Sequence, residues 1–302
     1  SGVLTGDKLT WTKDKSPYLV TGSVMVEKGT TLKIEEGVDV QFAGEFGITV
    51  EGKIEAIGTE TENISFYGVD SGKNNWLGIN CRNDNNSMLQ YIKLENSSEG
   101  LSGYMTVLNS FLESDNYVLS NFEGEVCNTE ITGSIVMEGS KLIDSTITVT
   151  DRVAENIISN SYFVGNHFTG GILAISGIGE NNEFKKMSIG NSASFINVTF
   201  DECSIGFGDG CLFLCIFDEC TFDGSPTLIR DSNFVDCNGT LEVATKYSQY
   251  EEIDLTSNFW GYANTEELKK NGLEIKHSFI DDYYLDPRFY TTKANLGNYR
   301  EK

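Results

Sequence analysis

Apolar and polar positions alternate over short runs along the chain, and one six-residue phrase returns at nearly regular intervals. The phrase reads apolar, any residue, Asn or Asp, small, any residue, then Phe or Ile. Its copies close at Ile131, Ile147, Phe163, Phe184, Phe200, Phe217 and Phe234, which are 16, 16, 21, 16, 17 and 17 residues apart, counted from their numbers. A short period with a fixed inner pattern predicts a solenoid in which each copy is one coil.

Stacked coils would bury like residues on like residues, roughly 4.8 Å apart as neighbouring strands are. The closing Phe and Ile residues should then form one inner column. A second column is expected five positions earlier, at Val126, Leu142, Ile158, Phe195, Leu212 and Ile229. A third column is expected three positions before the closing residue, where the side-chain amides would form a ladder at one bend. Its members are Asn128, Asp144, Asn160, Asn181 and Asn197, and Leu214 interrupts it.

Cysteine follows the closing Phe by three residues in the last three copies, at Cys203, Cys220 and Cys237. The seven cysteines are an odd number without a Cys-x-x-Cys pair, and the chain has only two histidines. Stacked core thiols are therefore favoured over a zinc site.

Composition narrows the fold and the partners. The 302 residues include 31 glycines, only three prolines and almost no helical periodicity, which is typical of an all-β protein. The net charge of −23 disfavours nucleic acid and anionic membrane surfaces as partners. No apolar run is long enough to predict a membrane span. Ser1-Gly2 suggests a processed or truncated start, with any signal or lipid anchor not present in this sequence.

The opening region alternates as short strands, from Ser23 through the Asn63-Ile64-Ser65-Phe66 step to Trp76-Leu77-Gly78-Ile79. This order resembles bacterial secreted right-handed parallel β-helix repeat proteins of the pectin-lyase-like fold class. The amide ladder and the Asn258-Phe259-Trp260-Gly261 step near the C-terminus resemble the same class. The resemblance implies an extracellular or cell-surface anchored protein.

We therefore expect a right-handed parallel β-helix with an N-terminal β cap and a short C-terminal helix and strand cap; a β-sandwich with a chance repeat is the alternative. Residues 1–302 would form a single domain, with a cap region over 1–45, coils over 46–260, and the C-terminal cap and tail over 261–302. The one expected helix spans Asn264 to Gly272, with acids in its first turn and lysines in its last.

Acidic residues beside the Phe column are the candidate binding site. They are Asp201, Glu202, Asp218, Glu219 and Asp236. Carboxylates at this density could hold Ca²⁺, as lyases of this fold class do, whereas a solvated acidic turn is the simpler interpretation. Exposed aromatic residues could instead stack on sugars, with candidates at Trp76, Tyr104, Tyr117, Tyr162, Tyr247, Tyr250, Tyr283 and Tyr284.

Catalytic patterns are weak in this sequence. Candidate bases near the acidic residues are Arg230 and the Lys185-Lys186 pair, His167 and His277 are each isolated, and Asp281-Asp282 is a bare acidic pair. We therefore predict a monomeric, non-catalytic extracellular scaffold for adhesion or for binding a polysaccharide or surface glycan. A divergent polysaccharide lyase or glycoside hydrolase is the alternative.

Overall fold

The computed structural model describes residues 2–69, 76–83, 86–150, 156–208, 210–224, 228–230, 232–243, 270 and 273–277. These residues form short strands, and the strands pair in parallel with strands one coil away along the chain. Phe200, for example, pairs with Phe217, and Phe217 pairs with Phe234. The predicted all-β, parallel β-helix class is confirmed. The chain divides into two compact units, Ser1–Tyr162 and Phe163–Lys302.

The first unit contains a single 3-10 turn at Lys13–Lys15 among its described residues. Its strands are Gly2–Leu4 (β1), Lys8–Trp11 (β2), Tyr18–Val20 (β3), Val24–Val26 (β4), Thr31–Ile34 (β5), Asp39–Phe42 (β6), Gly47–Val50 (β7), Lys53–Ile57 (β8), Ile64–Gly68 (β9), Gly78–Cys81 (β10), Met88–Gln90 (β11), Ile92–Glu95 (β12), Leu101–Leu108 (β13), Phe111–Cys127 (β14), Glu130–Glu138 (β15), Lys141–Ile143 (β16), Thr146–Val149 (β17) and Ile157–Val164 (β18), whose last two residues belong to the second unit.

Three strands make each early coil of the first unit. The first strands stack as β4, β7 and β10, the second as β5, β8 and β11, and the third as β6, β9 and β12. Burial alternates along them as the sequence predicted, with Leu32, Ile34, Val40 and Phe42 fully inside. Burying alternate side chains on one side of each strand is what closes the coil around a core.

The Trp-x-Gly-Ile step of the opening region has a packing role. Trp76 is fully buried, and its ring stacks on Phe42 with centroids 4.2 Å apart. Gly78 has a φ of +126°, and a Cβ at this position would lie 2.1 Å from the carbonyl oxygen of Gly100. Only glycine permits that approach between neighbouring coils.

The second unit continues with strands His167–Thr169 (β19), Ile172–Glu180 (β20), Glu183–Lys185 (β21), Ser188–Ile196 (β22), Thr199–Asp201 (β23), Ser204–Phe207 (β24), Cys211–Phe213 (β25), Ile216–Asp218 (β26), Thr221–Gly224 (β27), Leu228–Arg230 (β28), Asn233–Val235 (β29), Asn238–Val243 (β30) and Leu273–His277 (β31). Its core is a column of stacked phenylalanine rings whose successive centroids are 4.7, 5.2, 4.9 and 4.7 Å apart, formed by Phe168, Phe184, Phe200, Phe217 and Phe234.

The predicted column was wrong at one member, because Phe168 rather than Phe163 stacks on Phe184. Phe163 instead meets Phe195 edge to face, with centroids 5.8 Å apart. The copy closing at Phe168 escaped the sequence pattern because Gly165, with a φ of +69°, occupies the position where other copies carry Asn. Glycine adopts this left-handed conformation at little cost and therefore replaces Asn there.

The Asn column contains hydrogen-bonded amide pairs, and its side chains point to solvent. Asn128 and Asn181 have φ values of 46° and 54°, and both side chains are exposed. A residue in this left-handed conformation turns the chain, and the following small residue, such as Thr129 or Asn182, points inward. Asn is among the residues that tolerate this conformation best.

Asn160 does not belong to the predicted ladder. Met137 pairs with Ile158, and the backbone N–H of Gly139 donates to the carbonyl of Ser159 at 3.0 Å. Asn160 therefore follows a bend beside Gly139, whereas Leu142 pairs with Val126 in the ladder that Asn128 follows. The prediction that Ile158 stacks on Leu142 was wrong for the same reason.

Most of the expected C-terminal cap lies outside the described residues. Lys270 is helical and β31 pairs in parallel with β30, while the other residues of the expected helix are not among those described. None of the described helical residues belongs to a helix that could cross a membrane.

Candidate functional site

The five acidic residues singled out in the sequence occupy one bend of the second unit. Asp201 and Asp218 close the three-residue strands β23 and β26 and are register partners. Glu202, Glu219 and Asp236 come next along the chain, with φ values of 53°, 53° and 49°. Each therefore holds the turning position at this bend, and the cysteine that follows it points inward. Cys203, Cys220 and Cys237 are all buried, as predicted.

Lysines neutralise one end of this acidic strip. The Lys185 ammonium forms an ion pair with Asp201, and Lys186 lies 3.3 Å from Glu202. The hydrogen bond to Asp201 raises the pKa of Lys185 above its ordinary value. Both candidate bases are thus engaged with neighbouring acids, while the side chain of Arg230 lies outside the described part of the chain.

No metal-binding cluster is evident among the described residues, where no three His, Cys, Asp or Glu side chains are grouped to hold an ion. The exposed His167 is 2.9 Å from the Glu183 carboxylate. Asp281, Asp282 and the side chain of His277 lie outside the described residues. The structure therefore brings Asp201, Glu202, Asp218, Glu219 and Asp236 together along one strip, where their role in binding stays a prediction.

A polar groove of about 510 Å³ runs along a bend of the first unit. One row of its lining residues, called the ridge below, holds the left-handed turning position of successive coils. The ridge consists of Tyr91, Asn109, Asn128 and Asp144, with φ values of 50°, 50°, 46° and 46°. The backbone N–H groups of the first three donate to carbonyls of the next coil at 3.0–3.1 Å. A second row of lining residues lies two positions further along the chain in each coil and consists of the register partners Phe111, Glu130 and Thr146.

Buried hydroxyl groups hold the floor of this groove in register. The N–H of Ile92 donates to Ser110 Oγ at 3.1 Å, and the N–H of Ser110 donates to Thr129 Oγ1 at 3.4 Å. The N–H of Thr129 in turn donates to Ser145 Oγ at 3.2 Å. Since each bend is bonded to the next, the outward side chains keep a fixed spacing from coil to coil.

Two amides on the ridge are linked and still have unused bonding capacity. The Asn128 Nδ2 group donates to Asn109 Oδ1 at 2.6 Å. An amide has two N–H donors and an oxygen with two lone pairs, so donors remain on Asn109 and acceptor sites remain on Asn128. The groove thus offers donors and acceptors a few ångströms apart, with the carboxylates of Glu60, Glu130 and Asp144 around them.

An aromatic residue stands at one end of the ridge in an unusual conformation. Tyr91 is half-buried with a φ of 50°, where the other ridge residues are Asn or Asp. A bulky side chain in the left-handed region costs roughly 1–3 kcal/mol. Lys186 and Leu214 hold similar left-handed turning positions in the second unit, with φ values of 52° and 55°. The half-buried Phe111 ring also lines the groove and has the Lys93 ammonium 5.8 Å from its centroid. That lysine is also paired with Glu95 at 2.8 Å.

Sequence reasoning missed this groove because its first copies do not fit the repeat. Tyr91 takes the turning position in place of Asn, and the copy with Asn109 closes at Leu112, the partner of Ile131, rather than at Phe or Ile. Of the aromatic candidates, Trp76 is excluded as a sugar platform because it is fully buried. Tyr104 and Tyr162 are 38% and 37% exposed but are not part of the groove lining.

The chain shows only limited similarity to known proteins. No family model matches the chain, and no curated protein matches it significantly. Among solved structures, the chain aligns with the crystal structure of the Dettilon tailspike protein at 13% identity, with a TM-score of 0.31. The alignment covers 86% of this chain and 62% of that chain, so it spans less than two thirds of the tailspike's length.

Proposed function

We propose that the protein is a non-catalytic, extracellular β-helix scaffold that binds a carbohydrate along the groove of the first unit. The observation that carries the proposal is the composition of this groove, in which linked amides, three carboxylates, Tyr91 and Phe111 line one elongated depression. Sugars are bound by planar hydrogen-bonding groups that contact hydroxyls and by aromatic faces that contact the C–H side of the ring.

The regular spacing of the ridge suits a repeating ligand. Asn109 and Asn128 are bonded directly to each other, and the groove continues along the ridge to Asp144. A polysaccharide chain lying along the groove would meet similar donors and acceptors at each coil. The resemblance of the opening coils to secreted bacterial β-helix proteins of the pectin-lyase-like class supports an extracellular or cell-surface location.

The hydrolase alternative has one specific observation in its favour. Glu60, Glu130 and Asp144 all line the same groove, and paired carboxylates are the minimum for glycoside hydrolysis. Binding without turnover is separated from hydrolysis by incubating the protein with any glycan it binds and measuring new reducing ends. The acidic strip of the second unit, Asp201 to Asp236, is a second candidate surface for the same class of ligand.

A glycan array followed by calorimetry on the matched variants Asn109→Gly and Asn181→Gly tests the proposal. Both residues accept an amide hydrogen bond in a ladder, at 2.6 and 2.7 Å, and both have positive φ. Their effects on stability should therefore be similar, because glycine suits this backbone. Affinity should fall about tenfold or more in Asn109→Gly alone. Equal affinity in the two variants would place binding elsewhere.

Tyr91→Asn provides an independent check on the same groove. Asparagine occupies the equivalent position at Asn109 and Asn128, so the backbone conformation is retained while the ring is lost. We expect this variant to fold at least as stably as the native chain and to bind the glycan more weakly. Unchanged affinity would remove the aromatic contact from the proposal.

A further inference from the structure

We infer that the groove selects a glycan that carries protonated amines, namely a polymer containing free hexosamine, over neutral and uronate-containing chains. This inference rests on the proposed function and names the ligand class of the same groove. It follows from the negative charges that face the groove and from the ion pairs that nearby lysines form with other acids.

The lining is acidic and contains no basic side chain. Its charged members are Glu60, Glu130 and Asp144, and the remaining lining residues are polar, aliphatic or aromatic. None of these three carboxylates has an ion-pair partner among the described residues. The groove therefore presents negative charge that a ligand can still neutralise, within a chain whose net charge is −23.

Lys93 and Lys141, whose strands hold or adjoin the groove residues Ile92 and Asp144, already have acidic partners. Lys93 lies 2.8 Å from Glu95, and Lys141 lies 3.8 Å from Glu125. A uronate chain would thus meet unneutralised carboxylates without a compensating cation, and like charges at such spacing repel. A neutral chain would satisfy the amides of Asn109 and Asn128 but leave the carboxylates without a cationic partner.

An amine-bearing sugar satisfies both parts of the site. Its hydroxyls match the open donors and acceptors of the linked amides, and its ammonium group forms charge-assisted hydrogen bonds with carboxylates, which are about twice as strong as neutral ones. Glu130 and Asp144 both line the groove on neighbouring coils, since Thr146 beside Asp144 pairs with Glu130, and either carboxylate can accept from an ammonium group.

Calorimetry with three oligosaccharides of equal length tests the inference: a glucosamine hexamer, its fully N-acetylated form and a galacturonate hexamer. The glucosamine hexamer should bind at least about tenfold more tightly than the acetylated form, and the galacturonate hexamer should not bind detectably. Raising the salt concentration should weaken binding of the glucosamine hexamer in particular, because screening acts on its charge contacts.

Matched charge variants separate a specific site from general attraction to an acidic protein. Glu130→Gln with Asp144→Asn removes two charges at the groove, whereas Glu45→Gln with Asp223→Asn removes two exposed charges that belong neither to the groove nor to the acidic strip. Only the groove variant should lose affinity for the glucosamine hexamer, by about tenfold or more. Equal losses in both variants would overturn the inference.

The outcomes distinguish this inference from the proposed function. If the acetylated hexamer binds as tightly as the glucosamine hexamer and binding needs Asn109, the groove binds carbohydrate but does not select amines. If no glycan binds the groove, both proposals fail.

Discussion

The ring of Phe200 lies flat on the ring of Phe217, with their centroids 4.9 Å apart and their planes inclined by 4°. Both side chains are fully buried, and Phe217 also stacks on Phe234 at 4.7 Å. Truncating Phe217 would open a cavity between two coils. We expect Phe217→Ala to lower the free energy of unfolding by about 3–5 kcal/mol in urea titrations.

Ile172→Ala serves as the control for this change. Ile172 lies in β20 of the same unit and is 61% exposed, so its truncation should change stability by no more than about 0.5 kcal/mol. Comparable losses in the two variants would show that the Phe column is not a buried core.

Glu219 occupies a left-handed position that suits glycine better. Its φ is 53° and its side chain is exposed, so Glu219→Gly should remove a conformational penalty of about 1–2 kcal/mol. Glycine also has greater conformational freedom in the unfolded chain, which offsets about 0.5–1 kcal/mol of this stabilisation. A small net increase in stability, up to about 1 kcal/mol, is expected in chemical denaturation.

Asp223→Gly is the matched control, since it also removes one exposed acid from the second unit. Asp223 lies within the extended strand β27, where glycine should cost about 0.5–1 kcal/mol. If both glycine variants were destabilised alike, the turning role of Glu219 would be contradicted.

Asn160 allows a test of which way a side chain points at the bend beside Gly139. Because the side chain is exposed and φ is 49°, Asn160→Ala and Asn160→Leu should be destabilised by similar amounts, about 1–2 kcal/mol each. Asn160→Gly should be milder. An inward-facing slot would instead favour Leu over Ala, because Leu fills the space. Thermal unfolding of the three variants decides between the two orientations.

The cysteines should differ in their reactivity in the native protein. All seven are free thiols; Cys127 and Cys211 are half-buried, and the other five are buried. Burial raises the pKa of Cys81 and of Cys215 to about 12. The pKa of Cys203 is raised mainly by its hydrogen bond to Cys220 and further by burial. Burial raises the pKa of Cys127 as well, to about 11. We nevertheless expect Cys127 and Cys211 to be labelled first, because their half-buried thiols are the ones that a reagent can reach. Rapid labelling of all seven would contradict the inward column of Cys203, Cys220 and Cys237.

Turnover of polysaccharides is not expected. Lys185 and Lys186, the candidate bases of the acidic strip, are each paired with an acid, and a lyase needs a base directed at the substrate's α-proton. Incubation with pectin, alginate, xylan or glycosaminoglycans should yield no unsaturated uronides and no new reducing ends, with or without Ca²⁺. Product formation that disappears in Asp218→Ala would support a lyase at the acidic strip, and loss in Glu130→Gln would support a hydrolase in the groove.

The repeating phrase was sufficient to predict the coil architecture, since alternate burial and regular spacing both follow from it. It did not indicate which way the Asn points. The left-handed turn directs Asn128 outward and the following Thr129 inward, and both residues are polar enough for either side. It also misplaced Asn160, because a 16-residue spacing between Ile147 and Phe163 imitates one coil while the true copy closes at Phe168.

The groove was not predicted from the sequence. Its acids, Glu60, Glu130 and Asp144, lie far apart along the chain and carry no shared motif. The pairing of Glu130 with Thr146 follows from the predicted stacking of Ile131 on Ile147. The pairing of Phe111 with Glu130 could not be predicted in the same way, because the earlier copy closes at Leu112 rather than at Phe or Ile. The strip from Asp201 to Asp236 was visible in the sequence because consecutive copies carry acids at the same offset.

The parallel pairing of each strand with a strand one coil away also bears on how the chain folds. Phe200 and Phe217 are 17 residues apart, counted from their numbers, so docking one coil on the next closes only a short loop. Each added coil therefore carries a similar, small entropic cost of loop closure. The unpaired strand edges of a finished coil can pair with the strands of the next coil. A chain emerging from the ribosome could therefore add coils in order of synthesis, and a break in one coil would stall growth at that coil rather than prevent its start.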